Sequence, residues 1–263
     1  MKNDDTGQRS GDPELPLSGE SSGRAPSDAG ALTGPPSESR APAPDSANGT
    51  PPESEEEVSE VERRFQNARA AARAGREEEA MRGYRDVLAL EPAHVRARNN
   101  LGVLLDRQGK HEDALEQFRA ALDAEPSNTE LLSNSGAALA ALNRFDEAGA
   151  SLKRALRLEP SSVDVRVNLG ILYFRKGLYA QAESELRWAC ERNEEHAEAH
   201  FYRGEVLNRL GRVEDALAVL EKASQLQPEN PRIYYVMGIL YDKKHLPERA
   251  GPMYRKAREL STL

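Results

Sequence analysis

Four kinds of side chain in this sequence carry usable chemistry, and two of them recur at a fixed interval. The first is the run His196-Ala197-Glu198-Ala199-His200. Histidines at i and i+4 share a helix face and can hold one zinc ion between them. The glutamate lies in the wrong place for a zinc-hydrolase helix, and no third ligand accompanies the pair. No metal site is expected. The second is Cys190, the single cysteine. It stands where equivalent positions carry Leu88, Leu122 and Leu156, so a buried apolar filler is expected rather than a nucleophile. The third is a row of amides, Asn100, Asn134 and Asn168, spaced 34 residues apart. An amide offers both donor and acceptor and can pair with the backbone of an extended peptide whatever its sequence. Asparagine as a mere repeat consensus is the alternative. A second row holds Arg73, Arg107, Arg175, Arg209 and Lys243. These cations suit carboxylates of an acidic peptide, although basic residues near a helix C-terminus also favour the helix dipole. No phosphate loop, dinucleotide fingerprint or nucleophile elbow is present, so neither catalysis nor a cofactor is expected.

The interval that spaces these residues also spaces the rest of the chain. Ala80, Ala114, Ala148, Ala182, Ala216 and Ala250 form one column, and Ala68, Gly102, Gly136, Gly170, Gly204 and Gly238 form another. Two small-residue columns in register over six periods, without insertion or deletion, define a repeat array. Apolar residues fall at helical spacing on either side of a breaker in each unit. The breakers are Gly75, Gly109, Asn143, Gly177 and Gly211, and Pro92, Pro126, Pro160 and Pro228 end the second helices, with Glu194 the exception. A glycine inside a helix costs roughly 1 kcal/mol against alanine. Its recurrence implies that another backbone comes close there. Tyr84, Phe118, Leu152, Leu186, Leu220 and Tyr254 would fill the space alongside. The units run 61–94, 95–128, 129–162, 163–196, 197–230 and 231–263.

In its fourth unit the chain carries Leu169, Gly170, Tyr173, Gly177, Ala182, Leu186 and Ala189. This pattern resembles the tetratricopeptide repeat family, and the resemblance covers the chain from about residue 61 onward. It implies an all-α fold: a right-handed superhelical solenoid of antiparallel helix pairs. It also implies that the first helix of each pair lines a concave face where protein partners bind. On that face the groove residues would be Asn100, Asn134 and Asn168 for a peptide backbone and Arg107, Arg175 and Arg209 for acidic groups. Phe201, Tyr202 and Tyr235 would take an apolar anchor. The lysine and asparagine pattern of the family's chaperone-tail clamp does not occur in three consecutive units here, so that ligand is not expected.

The first 60 residues differ in kind, with 9 Pro, 7 Gly, 10 Ser and no aromatic. A segment of this composition cannot bury enough apolar area to offset its ordering entropy, so residues 1–53 are expected to be disordered. Ser54 suits an N-cap with acids behind it, so order is expected from there. The first 60 residues carry 4 basic and 13 acidic side chains, against 36 and 44 in the whole chain, leaving the repeats near neutrality. No net basic surface for nucleic acid results, and no apolar run suits a signal peptide or membrane span. The single cysteine fits a reducing compartment, and the cytoplasm is the default. Trp188 replaces smaller or charged residues of other units and offers a second contact surface or dimer interface, with packing across the loop as the alternative. Gly251-Pro252 should kink or shorten the last helix, and an uncapped solenoid end exposes apolar surface to another subunit. The expected function is a non-enzymatic adaptor that binds extended or helical peptide segments of protein partners. The alternatives are a self-assembling structural element and a groove regulated by its own acidic tail.

Overall fold

The computed structural model describes residues 55–262, with side chains from Glu60 onward. The N-terminal segment and its expected helix start at Ser54 lie outside the described residues. Twelve helices follow one another, and no strand occurs among the described residues. They are α1 Glu55–Arg73, α2 Glu77–Leu90, α3 Val95–Arg107, α4 His111–Ala124, α5 Thr129–Ala141, α6 Phe145–Leu158, α7 Val163–Arg175, α8 Tyr179–Arg192, α9 Ala197–Arg209, α10 Val213–Leu226, α11 Pro231–Lys243 and α12 Pro247–Ser261. Odd helices pair with the even helix that follows, and each pair packs on the next, as an α-solenoid requires.

The punctuation of the array has a local cause in each unit. Gly75, Gly109, Gly177 and Gly211 adopt φ between 72° and 75°, the left-handed conformation that turns the chain between paired helices. Asn143 does the same at 59°, and His245 at 57° fills the place in the sixth unit. Odd helices start on a side-chain cap. His94 Nδ1, Asn128 Oδ1, Ser162 Oγ and His196 Nδ1 each accept from the backbone N–H three residues on. Most even helices instead begin with acids, Glu77 to Glu79, Glu112 and Asp113, Asp146 and Glu147, and Glu214 and Asp215, which favour the positive helix end.

Two expectations are corrected by the packing. The glycine column does not face a backbone. A Cβ on Gly102, Gly136, Gly170, Gly204 or Gly238 would come within 2.5–2.6 Å of Phe118, Leu152, Leu186, Leu220 or Tyr254, side chains of the partner helix. Those large residues therefore press into the glycines rather than lie beside them. Only the first unit, with Ala68 in the column, reverses the arrangement: Gly83 on α2 makes the room, and a Cβ there would meet Ala68 Cβ at 2.7 Å. The last helix is also not shortened. At 15 residues α12 is one longer than α10, with Pro252 inside it. Gly251 has no Cβ for the proline ring to clash with, and Pro252 and Glu248 are exposed, so water can serve the unbonded Glu248 carbonyl.

The core forms three clusters rather than one. The first runs from Val61 to Leu172, the second from Val167 to Val206 and the third from Phe201 to Leu240. At the joint between the fourth and fifth pairs sits a buried carboxylate, Glu183, 7% exposed. Arg203 lies 3.5 Å away, Arg187 3.8 Å and Arg212 3.9 Å. Equivalent positions to Glu183 hold Met81, Leu115 and Leu217, all buried, in three other units and glycine, Gly149 and Gly251, in two.

Candidate peptide-binding groove

The odd helices carry the predicted groove residues, and their side chains divide into an engaged set and an open one. The asparagine row is tied to the preceding unit. Asn100 Nδ2 donates to Tyr84 Oη at 3.2 Å, Asn134 Nδ2 to Asn99 Oδ1 at 2.9 Å, and Asn168 Nδ2 to Ser133 Oγ at 2.9 Å. Asn99 in turn donates to Glu130 at 2.7 Å, giving a chain of amides that the sequence reading missed. Asn168 is buried. Asn100 and Asn134 are half-buried, and among the described residues their Oδ1 atoms accept no hydrogen bond. The ladder thus joins repeats with its donors while two of its acceptors stay open.

The basic row is likewise divided. Arg107 is half-buried, 3.9 Å from Glu77, and its Nε is buried without a partner. Arg175 donates to Ala140 O at 3.4 Å, a carbonyl in the last turn of α5, and Lys243 donates to Asn208 Oδ1 at 2.8 Å. Arg209 is exposed.

Of the aromatic trio, Phe201 is 4% exposed and belongs to the core, so it is withdrawn as a groove anchor. It was placed in the groove by its position in the unit, but that position is buried between repeats in every unit except the last: Phe65, Asn99, Ser133 and Val167 are buried too. Tyr235, the sixth member, is 38% exposed, 5.7 Å from Tyr254. Tyr202 is half-buried, with its ring 5.2 Å from Phe201 and 6.2 Å from Phe174.

Between these aromatics the groove holds Glu205, half-buried and without a hydrogen bond or ion pair among the described residues. Burial lifts its carboxyl above the usual carboxylate range, and Arg232 and Arg209 oppose the lift. The equivalent residues are Arg69, Val103, Ala137, Ile171 and Ile239, so an acid in a mostly apolar row was the available signal. A carboxyl raised above its unfolded value of 4.5 favours the folded state only while protonated. Its contribution is lost as pH rises through the folded pKa. Glu205→Gln is therefore expected to stabilise the array at neutral pH, with the gain vanishing below about pH 4.5; denaturant melts across this range measure it.

The other chemistry candidates have structural roles. His196 is a helix cap through Nδ1, and its Nε2 lies 3.2 Å from Asp164. His200 Nε2 donates to Glu194 O at 3.0 Å. Arg98, Arg166 and Tyr234 make the equivalent bond to the carbonyls of Pro92, Pro160 and Pro228. Cys190 is buried, and burial pushes its thiol up to about 11. Trp188 is half-buried, with the Arg166 and Arg192 guanidinium groups 4.2 Å and 5.4 Å from its ring. Its ring is thus engaged by arginines of its own unit.

These stacked helix pairs have recognisable kin. The tetratricopeptide repeat profile matches residues 65–129, 105–163, 133–186 and 167–231, and the chain belongs to this family. Among solved structures, a tetratricopeptide repeat protein from Parabacteroides merdae shares 20% identity over 76% of this chain and 78% of its own, with a TM-score of 0.65. MamA shares 26% identity over 62% of this chain and 95% of its own, with a TM-score of 0.51. The hetero-tetramer Cut9–Hcn1 of the APC/C matches over 77% of this chain and 40% of its own at 16% identity, with a TM-score of 0.73. Comparison with curated proteins gives no match. No described helix is long and apolar enough to cross a membrane.

Proposed function

We propose that the chain is a non-enzymatic scaffold that binds peptide segments of protein partners along the odd helices. The observation that carries this reading is the open set on the odd helices: the Asn100 and Asn134 acceptors and the exposed Arg209, with Tyr235 exposed on the last of these helices. An extended peptide would donate backbone N–H groups to the two asparagines. An acidic side chain would meet Arg209, and an apolar one would rest on Tyr235 and Tyr202. Membership of a repeat family, and similarity to a chain solved within a hetero-tetramer, support a role in protein association.

Random peptide display against the full chain provides the probe. Selected peptides are expected to bind Arg209→Glu/Tyr235→Ala at least tenfold more weakly than the parent, with an unchanged unfolding midpoint because both positions are exposed. Equal affinity for the parent and this variant rejects the groove as the binding face.

A further inference from the structure

The place that Met81, Leu115 and Leu217 fill in their own units is taken by Gly149 in the third. Those side chains are buried. Without one, the joint between α6 and α7 opens into a notch of about 260 Å³. It is lined by the buried Leu169 and Leu172, the half-buried Phe145 and Tyr173, and the exposed Lys153, Lys176 and Asp146. A Cβ built on Gly149 meets only Leu172 Cδ2, at 3.6 Å. The notch lies outside the rows that form the groove. In three other units a buried leucine or methionine side chain fills this place.

We propose that the notch receives Leu15 or Leu17 from the chain's own segment Asp12-Pro13-Glu14-Leu15-Pro16-Leu17-Ser18-Gly19-Glu20. Before Glu55 the large apolar side chains are Met1, Leu15, Leu17 and Leu32, and only Leu15 and Leu17 stand among three acids. Those acids complement the two lysines; Lys176 already holds Asp146 at 3.2 Å, and Lys153 is exposed. The two prolines favour an extended segment, which needs no helix to present a leucine. Reach is not limiting. Leu17 precedes Glu55 by 38 residues, a span of up to roughly 130 Å when extended. The odd helices from α1 to α7 take about three packing steps of roughly 8–10 Å each. A tethered segment acts at an effective concentration on the order of millimolar, so one leucine and a few charge pairs suffice to hold it.

The test uses the full chain with a nitroxide on Ser18→Cys. Cys190 stays unlabelled because it is buried, with its thiol raised to about 11. In dilute, isotope-labelled protein the amides of Gly149 and Tyr173 are expected to lose more than half their intensity. Those of α11, about three packing steps of roughly 8–10 Å away, should keep theirs. Leu15→Asp/Leu17→Asp, which leaves the repeats untouched, and Gly149→Leu, which plugs the notch from inside, should each restore the signals. Absence of broadening overturns the proposal, as does broadening that survives both variants. Broadening seen only between labelled and unlabelled copies assigns the occupant to a second molecule and also overturns it.

Discussion

Glu183→Ala is expected to destabilise the array by about 1–3 kcal/mol, because it leaves the half-buried Arg203, whose Nε is buried, without its carboxylate. Arg203 Nε already has no partner, and Glu183 is the acid closest to its guanidinium. Removing the acid leaves a cation in a joint where other units place hydrocarbon. The companion experiment separates loss of the pair from loss of volume. Glu183→Leu/Arg203→Met installs the residues of the next joint, where Leu217 and Met237 share one cluster. Replacing a buried ion pair by packed apolar residues is often neutral or stabilising by roughly 1–4 kcal/mol. The double variant should therefore match or exceed the parent in urea denaturation while Glu183→Ala falls well below it. In a one-dimensional array, a weak joint also uncouples its two sides. The Glu183→Ala transition should split, with α9 to α12 melting before α1 to α8. A single transition with an unchanged midpoint would show that the pair does not hold the joint.

Gly170→Ala is expected to lower stability by about 1–3 kcal/mol, the range for overpacking a filled core. Helix propensity alone favours alanine by about 1 kcal/mol, so the sign discriminates. The new methyl would stand 2.6 Å from Leu186 Cγ and 3.0 Å from Cδ2. Leu186 is fully buried and has nowhere to retreat. Gly170→Ala combined with Leu186→Ala should cost less than the sum of the two, since the second removes the clash created by the first. Gly149→Ala is the control of opposite sign. Its methyl makes one ordinary contact, so it should stabilise by up to about 1 kcal/mol.

The sequence revealed the array because its period is carried by residues whose role is internal to one helix pair. Alanine and glycine columns, breakers and terminal prolines all report on a helix and its partner, and the fold followed from them. What faces the neighbouring unit was harder to read. The asparagine row was assigned to a ligand by its spacing, yet each amide donates to the unit before it. Nothing in the period distinguishes a residue that looks into the groove from one that looks at the adjacent repeat. Phe201 was placed wrongly for this reason. His196 was legible in hindsight: His94, Asn128, Ser162 and Asn230 occupy the same column, and residues of that kind cap helices. Glu183 and Arg203 carried no such signal, because their columns vary from unit to unit and their pairing appears only when two units are stacked.

Four of the ties between odd helices share a length. Asn134 to Asn99, Asn168 to Ser133, Arg175 to Ala140 and Lys243 to Asn208 each span 35 residues, one period plus one. Each addition of a repeat therefore closes loops of no more than about one period and meets a similar entropic cost, which grows only as the logarithm of loop length. The array resembles a zipper in which every tooth engages the one before it. Such a chain folds quickly for its length, since its contacts are local in sequence. It can also gain or lose a unit by gene duplication or deletion without asking the distant units to adjust, so the number of repeats is free to follow the length of whatever the surface must hold.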